Sequence, residues 1–225
     1  MARRSQRQLQ LPVPNAWGGR RAGAGRPPAP GRPRMGHDRR DKHDARLPVL
    51  LTLRAAPRVP SLRTAALFAA VRDAIARTNH PKFRVLHFSV QQDHVHAIVE
   101  ADNHAALTGG IRGLVIRIAL AVKTVARVGK VWGDRYHARA LSAPREVRHA
   151  IVYVLLNFRK HLRAPAGIDP LSSGPWFDGW ARRPSPPRAP APTSMARTWL
   201  ATVGWRRGGL IHRHEAPRPN RSRPR

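Results

Sequence analysis

Two runs rich in β-branched and aromatic residues, Phe83 to Val90 and His94 to Glu100, are separated only by Gln91-Gln92-Asp93. So short a polar break between strand-forming segments predicts a hairpin. The second run opens His94-Val95-His96 and continues into Ala97-Ile98-Val99. Alternate residues of a strand point to one face, roughly 6–7 Å apart, so the two imidazoles can converge on one divalent ion. By itself a His-x-His is more often the mark of two polar residues on the solvent face of an antiparallel strand.

The segments around the hairpin alternate between strand and helix patterns. A strand near Pro48–Leu53 leads to a helix near Ser61–Thr78, where Ala65, Leu67, Phe68, Val71, Ile75 and Ala76 share one buried face. After the hairpin, Asn103 can cap a helix running to about Val128 through Leu107, Ile111, Leu114, Val115, Ile118 and Val122, with Gly109 and Gly110 weakening its start. A fourth strand near Val131–Leu141 precedes a helix entered at Ser142 and Pro144. This β-α-β-β-α-β order predicts an α+β fold: an antiparallel, ferredoxin-like or RRM-like sheet with helices packed on one face.

That last helix, from about Pro144 to His161, is two-faced. Val147, Ala150, Ile151, Val154, Leu155 and Phe158 form one apolar stripe, and Glu146, His149, Tyr153, Asn157 and Lys160 share the opposite face. Tyr153 and Asn157 stand one turn apart. A Tyr with an Asn on a helix, beside two His on a strand, points to DNA strand cleavage. On the fourth strand Arg135, His137 and Arg139 alternate away from Tyr136; that basic face can grip a DNA backbone, while Tyr136 stacks on a base or simply packs. Tyr136 is also a rival nucleophile. Lys160 can reach a phosphate or be an ordinary solvated helix residue.

The runs HFSVQQDHVHAIVEADNHAALTGGIRGL and VWGDRYHARALSAPREVRHAIVYVLLNFRKH resemble the REP-associated tyrosine transposases, a bacterial branch of the single-tyrosine HUH transposases. The likeness is densest over residues 44 to 161, where the His-x-His strand, the Arg-Tyr-His strand and the Tyr-x-x-x-Asn helix follow the family's order. It implies that His94, His96 and Asn157 are metal ligands for Mg2+ or Mn2+. It also implies that Tyr153, on a C-terminal helix, is the nucleophile that joins the 5′ phosphate and leaves a free 3′ hydroxyl. The family thereby ranks Tyr153 above Tyr136. The expected activity is that of a metal-dependent transposase and single-strand endonuclease acting on single-stranded or hairpin DNA; a non-catalytic nucleic-acid-binding regulator on the same fold is the alternative. One departure is Leu50, where relatives often have a His.

Charge agrees with such a partner. The chain carries 42 Lys plus Arg against 12 Asp plus Glu, a formal net charge of +30, and Arg far outnumbers Lys. An excess of this size attracts a polyanion, although a genome rich in G and C also enriches Arg, Ala, Pro and Gly. The absence of Cys excludes disulfides and thiolate zinc sites. No continuous apolar run approaches the roughly 20 residues of a membrane span, and the Arg-rich start lacks the apolar core of a signal peptide, so the expected place is on DNA in a bacterial cytoplasm. A homodimer is left open.

Composition also divides the chain. Residues 1–43, rich in Arg, Pro and Gly, read as a disordered basic arm; Gly25-Arg26-Pro27 and Gly31-Arg32-Pro33 within it are either minor-groove hooks or plain solvated tail. Residues 44–163 form the expected HUH catalytic domain. Residues 164–225 are a Pro-, Trp- and Arg-rich extension, largely irregular, with a flexible linker at Pro184–Pro192, a short helix within Ala196–Val203 and a basic tail.

Overall fold

The computed structural model describes residues 42–162, 165–185 and 187–217; residues 1–41 of the basic arm, with its two Gly-Arg-Pro sequences, and the last residues of the basic tail lie outside them. The fold is α+β. Strands β1 (Val49–Arg54), β2 (Phe83–Val90), β3 (His94–Ala101) and β4 (His137–Ala140) form one antiparallel sheet in the order β2-β3-β1-β4. Helices α1 (Ala65–Ala76) and α2 (His104–Ala126) make the crossovers of the expected ferredoxin-like order, and α3 (Pro144–Leu156) follows β4. The hairpin closes where expected: Gln91 N donates to His94 O at 2.8 Å and Val90 pairs with Val95.

Strand alternation sends Val49, Leu51 and Leu53, with Val95, Ala97, Val99 and Ala101, to one face of the sheet. There they pack with Leu67, Val71 and Ile75 of α1 and Ile111, Leu114, Ile118 and Val122 of α2. The Asn103 side chain accepts from Ala106 N at 2.8 Å, which explains why α2 starts at His104. Gly110 does more than weaken the helix: a methyl built there would overlap the ring of buried Phe83, so the missing side chain is what lets α2 approach β2. Helix α2 also corrects the membrane reading. Its 23 residues, with a mean hydropathy of 1.6 over the best window, are long and apolar enough to cross a bilayer, yet their buried stripe is spent on α1 and the sheet.

The opposite face, with Leu50, Leu86 and Ile98, is covered by α3 and by residues from the C-terminal extension. A register shift between Val85 and His87 acts as a bulge and carries both Leu86 and His87 to this side. Val152 and Leu156 are buried in addition to the anticipated stripe of α3, in one cluster with Phe177, Trp180, Leu200 and Trp205 of the extension. The expected linker is tied down at its end. Asn79 Nδ2 donates to Pro192 O at 3.1 Å and Ser194 N donates to Val85 O at 2.9 Å.

Two buried carboxylates fasten the extension. Asp169 takes two 2.8 Å bonds from the Arg63 guanidinium, and Glu100 of β3 accepts from Arg197 N (2.8 Å), Thr198 N (3.0 Å) and Thr198 Oγ1 (2.6 Å). Near the surface, Arg148 of α3 forks onto Glu215. In the extension only α5 (Trp199–Thr202) and two 3-10 turns, Gly174–Trp176 and Gly204–Gly208, are regular among the described residues.

Two elements are shorter than expected. The fourth strand begins at His137, since Trp132 and Gly133 are drawn aside to pair with Ala55 and Arg54, leaving Arg135 and Tyr136 in the approach. The last helix ends at Leu156 with Asn157 as its cap, and the chain resumes as α4 (Phe158–Leu162).

Candidate active site

The site lies on the sheet face that meets α3. His94, His96, Ile98 and Glu100 alternate onto that side of β3, opposite to Val95, Ala97 and Val99. The two imidazoles meet edge-on with centroids 4.5 Å apart. Tyr153 reaches them from α3: its ring centroid is 4.8 Å from that of His96, and its hydroxyl is 3.2 Å from His96 Nε2. The structure thus brings His94, His96 and Tyr153 together from segments far apart in the chain.

Each histidine has a polar partner that the local sequence pattern did not single out. Thr52 pairs across the sheet with His96, and its Oγ1 lies 3.0 Å from His96 Nδ1. Asp93 Oδ1 lies 2.7 Å from His94 Nδ1, and its other oxygen takes a 3.2 Å bond from Arg54. Partial burial works to raise the Asp93 carboxyl, but the bonds to His94 and the charge of Arg54 outweigh it and hold the group below the usual carboxylate range. The Thr52 signal was a lone polar residue in the apolar run of β1; that of Asp93 was its place immediately before His94. Leu50 simply packs in the second core.

Asn157 is 3% exposed, and its N–H donates to Tyr153 O at 3.1 Å, so it stays one helical turn from Tyr153 although α3 ends just before it. Tyr153 is partly buried, and burial pushes its phenol above the ordinary value.

The basic residues divide. Thr52 pairs with His96 on one side and His137 on the other, so His137 is on the site face two strands from His96, roughly 10 Å away. Arg139, opposite Leu50, faces the same way and makes a 3.5 Å ion pair with Glu146 on the first turn of α3. Arg135 is exposed in the approach to β4 and Lys160 exposed on α4, outside the row formed by His96, Thr52 and His137. Tyr136 packs against the α1 and α2 core, on the other side of the sheet from His96.

The two imidazoles suit a divalent ion. A carboxylate on His94 Nδ1 and a hydroxyl at His96 Nδ1 are partners of the kind that orient metal-binding histidines, and would leave Nε2 of each ring to ligate an ion. Among the described residues no cluster of three or more His, Cys, Asp or Glu side chains could hold a metal, so a third protein ligand would be of another type, such as the Asn157 amide.

No protein-family model matches the chain, and no curated protein does. Several solved chains are similar to it. Among them is a REP-associated tyrosine transposase bound to a REP hairpin; it is 19% identical, with a TM-score of 0.47 over 56% of this chain and 74% of that one.

Proposed function

We propose that the chain is a metal-dependent single-strand DNA endonuclease and transposase in which Tyr153 is the nucleophile. The observation that carries this reading is the 3.2 Å contact between the Tyr153 hydroxyl and His96 Nε2. It puts a phenol against the very atom with which a paired histidine would hold an ion.

Tyr153 attacks the phosphorus of a phosphodiester; the Oη–P bond forms as the P–O3′ bond breaks, and the departing 3′ oxygen ends as a hydroxyl. The phosphotyrosine keeps the energy of the cleaved linkage, so rejoining to another 3′ hydroxyl needs no nucleotide cofactor. A phenol raised by burial is a poor nucleophile without a cation nearby. Mg2+ or Mn2+ on His94, His96 and Asn157 would supply that charge at the scissile phosphate and the leaving oxygen. His96 Nε2 cannot both ligate an ion and hold the tyrosine hydroxyl. In this reading Tyr153 is therefore freed toward the phosphate when the site is loaded. His137, Arg139, Arg135 and Lys160 contribute backbone contacts to single-stranded or hairpin DNA, the expected substrate.

The test is incubation with labelled single-stranded hairpin DNA and Mg2+ or Mn2+, followed by a denaturing gel and peptide mapping. A chelator-sensitive adduct on Tyr153 supports the enzyme. Tight binding with no adduct across a panel including the hairpins beside its own gene would support a non-catalytic regulator instead.

A further inference from the structure

Four of the large apolar residues left exposed, Met195, Trp199, Val203 and Leu210, belong to the C-terminal extension. Trp199 stands out among them. Trp180 and Trp205 are buried with their indole N–H groups donating to Gly174 O and Ala201 O, whereas Trp199 keeps 47% of its surface in solvent. It is held rigidly there. Buried Glu100 grips Arg197 N and Thr198 N just ahead of it, the Thr198 side chain caps α5, and Gly204 backs the ring so closely that a methyl would sit 2.8 Å from it.

Its surroundings are cationic. The Arg207 guanidinium lies over one face of the ring, 4.9 Å from its centroid, and leaves the other face for a ligand. Beside it opens a shallow cavity of about 670 Å³ lined by Arg46, Arg84, Arg197, Trp199 and Leu200, with Asp102 as its acidic member. Arg84 is committed to Glu100 and Asp102; Arg46, paired with Asp44, and Arg197, which donates to Pro81 O, remain exposed at the rim.

We infer that Trp199 is a stacking platform for an unpaired base of single-stranded DNA, with Arg46, Arg197 and Arg207 taking the flanking phosphates. An exposed, immobilised ring among arginines is what a single strand needs, because every base has a π face and the backbone is anionic. A duplex keeps its base faces stacked and cannot use it. An apolar peptide or an uncharged bilayer would leave the arginine rim uncompensated. The platform lies by Glu100, roughly 13 Å along β3 from His96, and so outside the catalytic pair. It draws on the nucleic-acid half of the proposed function and not on the tyrosine chemistry.

The experiment compares binding of two fluorescent oligonucleotides of equal length, one carrying bases and one abasic, to the full chain at fixed salt. Wild type should prefer the base-bearing strand by about 5- to 100-fold. Trp199→Ala should erase that preference and leave the abasic affinity as it was, while Trp199→Phe keeps part of it. Photo-crosslinking wild type to a strand bearing 5-iododeoxyuridine needs no variant and should label the Trp199 peptide. Indifference of wild type to bases, equal weakening of both strands by Trp199→Ala, or a crosslink confined to other peptides would overturn the platform. The Tyr153 adduct is scored separately on wild type. Its absence, with base preference intact, defeats the cleavage reading alone.

Discussion

Thr52 Oγ1 lies 3.0 Å from His96 Nδ1, across the imidazole from the nitrogen that meets Tyr153. The hydroxyl therefore helps fix which way the ring is turned. Thr52→Val keeps the shape and deletes the hydrogen bond. Loss of such an outer partner should weaken metal affinity or activity by roughly 10- to 100-fold. Titrating cleavage against Mn2+ should show the requirement rising, with thermal stability little changed; an unaltered titration would remove Thr52 from the site.

Tyr153→Phe and His96→Ala should fail differently. The phenylalanine variant loses the covalent adduct but keeps its DNA affinity, since Arg and Lys contacts to phosphate dominate binding. The alanine variant lowers metal-dependent cleavage and recovers in part at high Mn2+. Binding lost together with cleavage in Tyr153→Phe would recast the tyrosine as structural.

Glu100 joins the sheet to the extension through acceptor bonds to Arg197 and Thr198 and its contact with Arg84. Glu100→Gln turns an amide N–H₂ toward groups that already donate, so stability should fall by about 2–4 kcal/mol. Trypsin should then cut faster at Arg197 and Arg206. Protection equal to wild type would mean that the Trp cluster alone docks the segment.

The hairpin, the shared face of His94 and His96 and the place of Tyr153 opposite the apolar stripe of its helix were legible because strand alternation and helix periodicity are local properties, readable from spacing. That this helix meets this strand was implied only by the resemblance. Thr52 and Glu100 were not, since their roles depend on strand register and on a contact 98 residues away in sequence. The extension read as irregular for a sound reason: its regular elements are a few residues long. What orders it is a set of buried Trp and carboxylate anchors, whose partners no local pattern reveals. The interruption of β4 was hidden similarly, in the pairing of Trp132 with Ala55.

His87 gives the stability a pH signature. Burial beside Phe177 pushes its imidazole down to about 4, against the attraction of Asp178. A depressed histidine favours the folded state above the ordinary value near 6.5, and as pH falls from there toward 4 the unfolded chain takes up the proton first. The loss should reach roughly 2–3 kcal/mol. Carboxylates held low, such as Glu215 beside Arg148, add their own losses only below about 4.5. Melting temperature followed between pH 7 and 5 should slope downward, and His87→Gln should flatten it; parallel slopes would assign the effect elsewhere.

Gly109 and Gly110 should respond to alanine with opposite signs, although both sit in the early turns of α2. Helix propensity alone favours alanine at each by about 1 kcal/mol. At Gly109 nothing lies within 4 Å of the added methyl, so that gain should appear nearly whole in a denaturant melt. At Gly110 the methyl meets the Phe83 ring, which is fully buried and has no free space to yield. Either the ring leaves its rotamer or α2 lifts from β2, and overpacking of this kind costs about 1–3 kcal/mol, enough to reverse the propensity gain. Equal stabilisation by both substitutions would show that α2 does not approach β2 as closely as this packing requires.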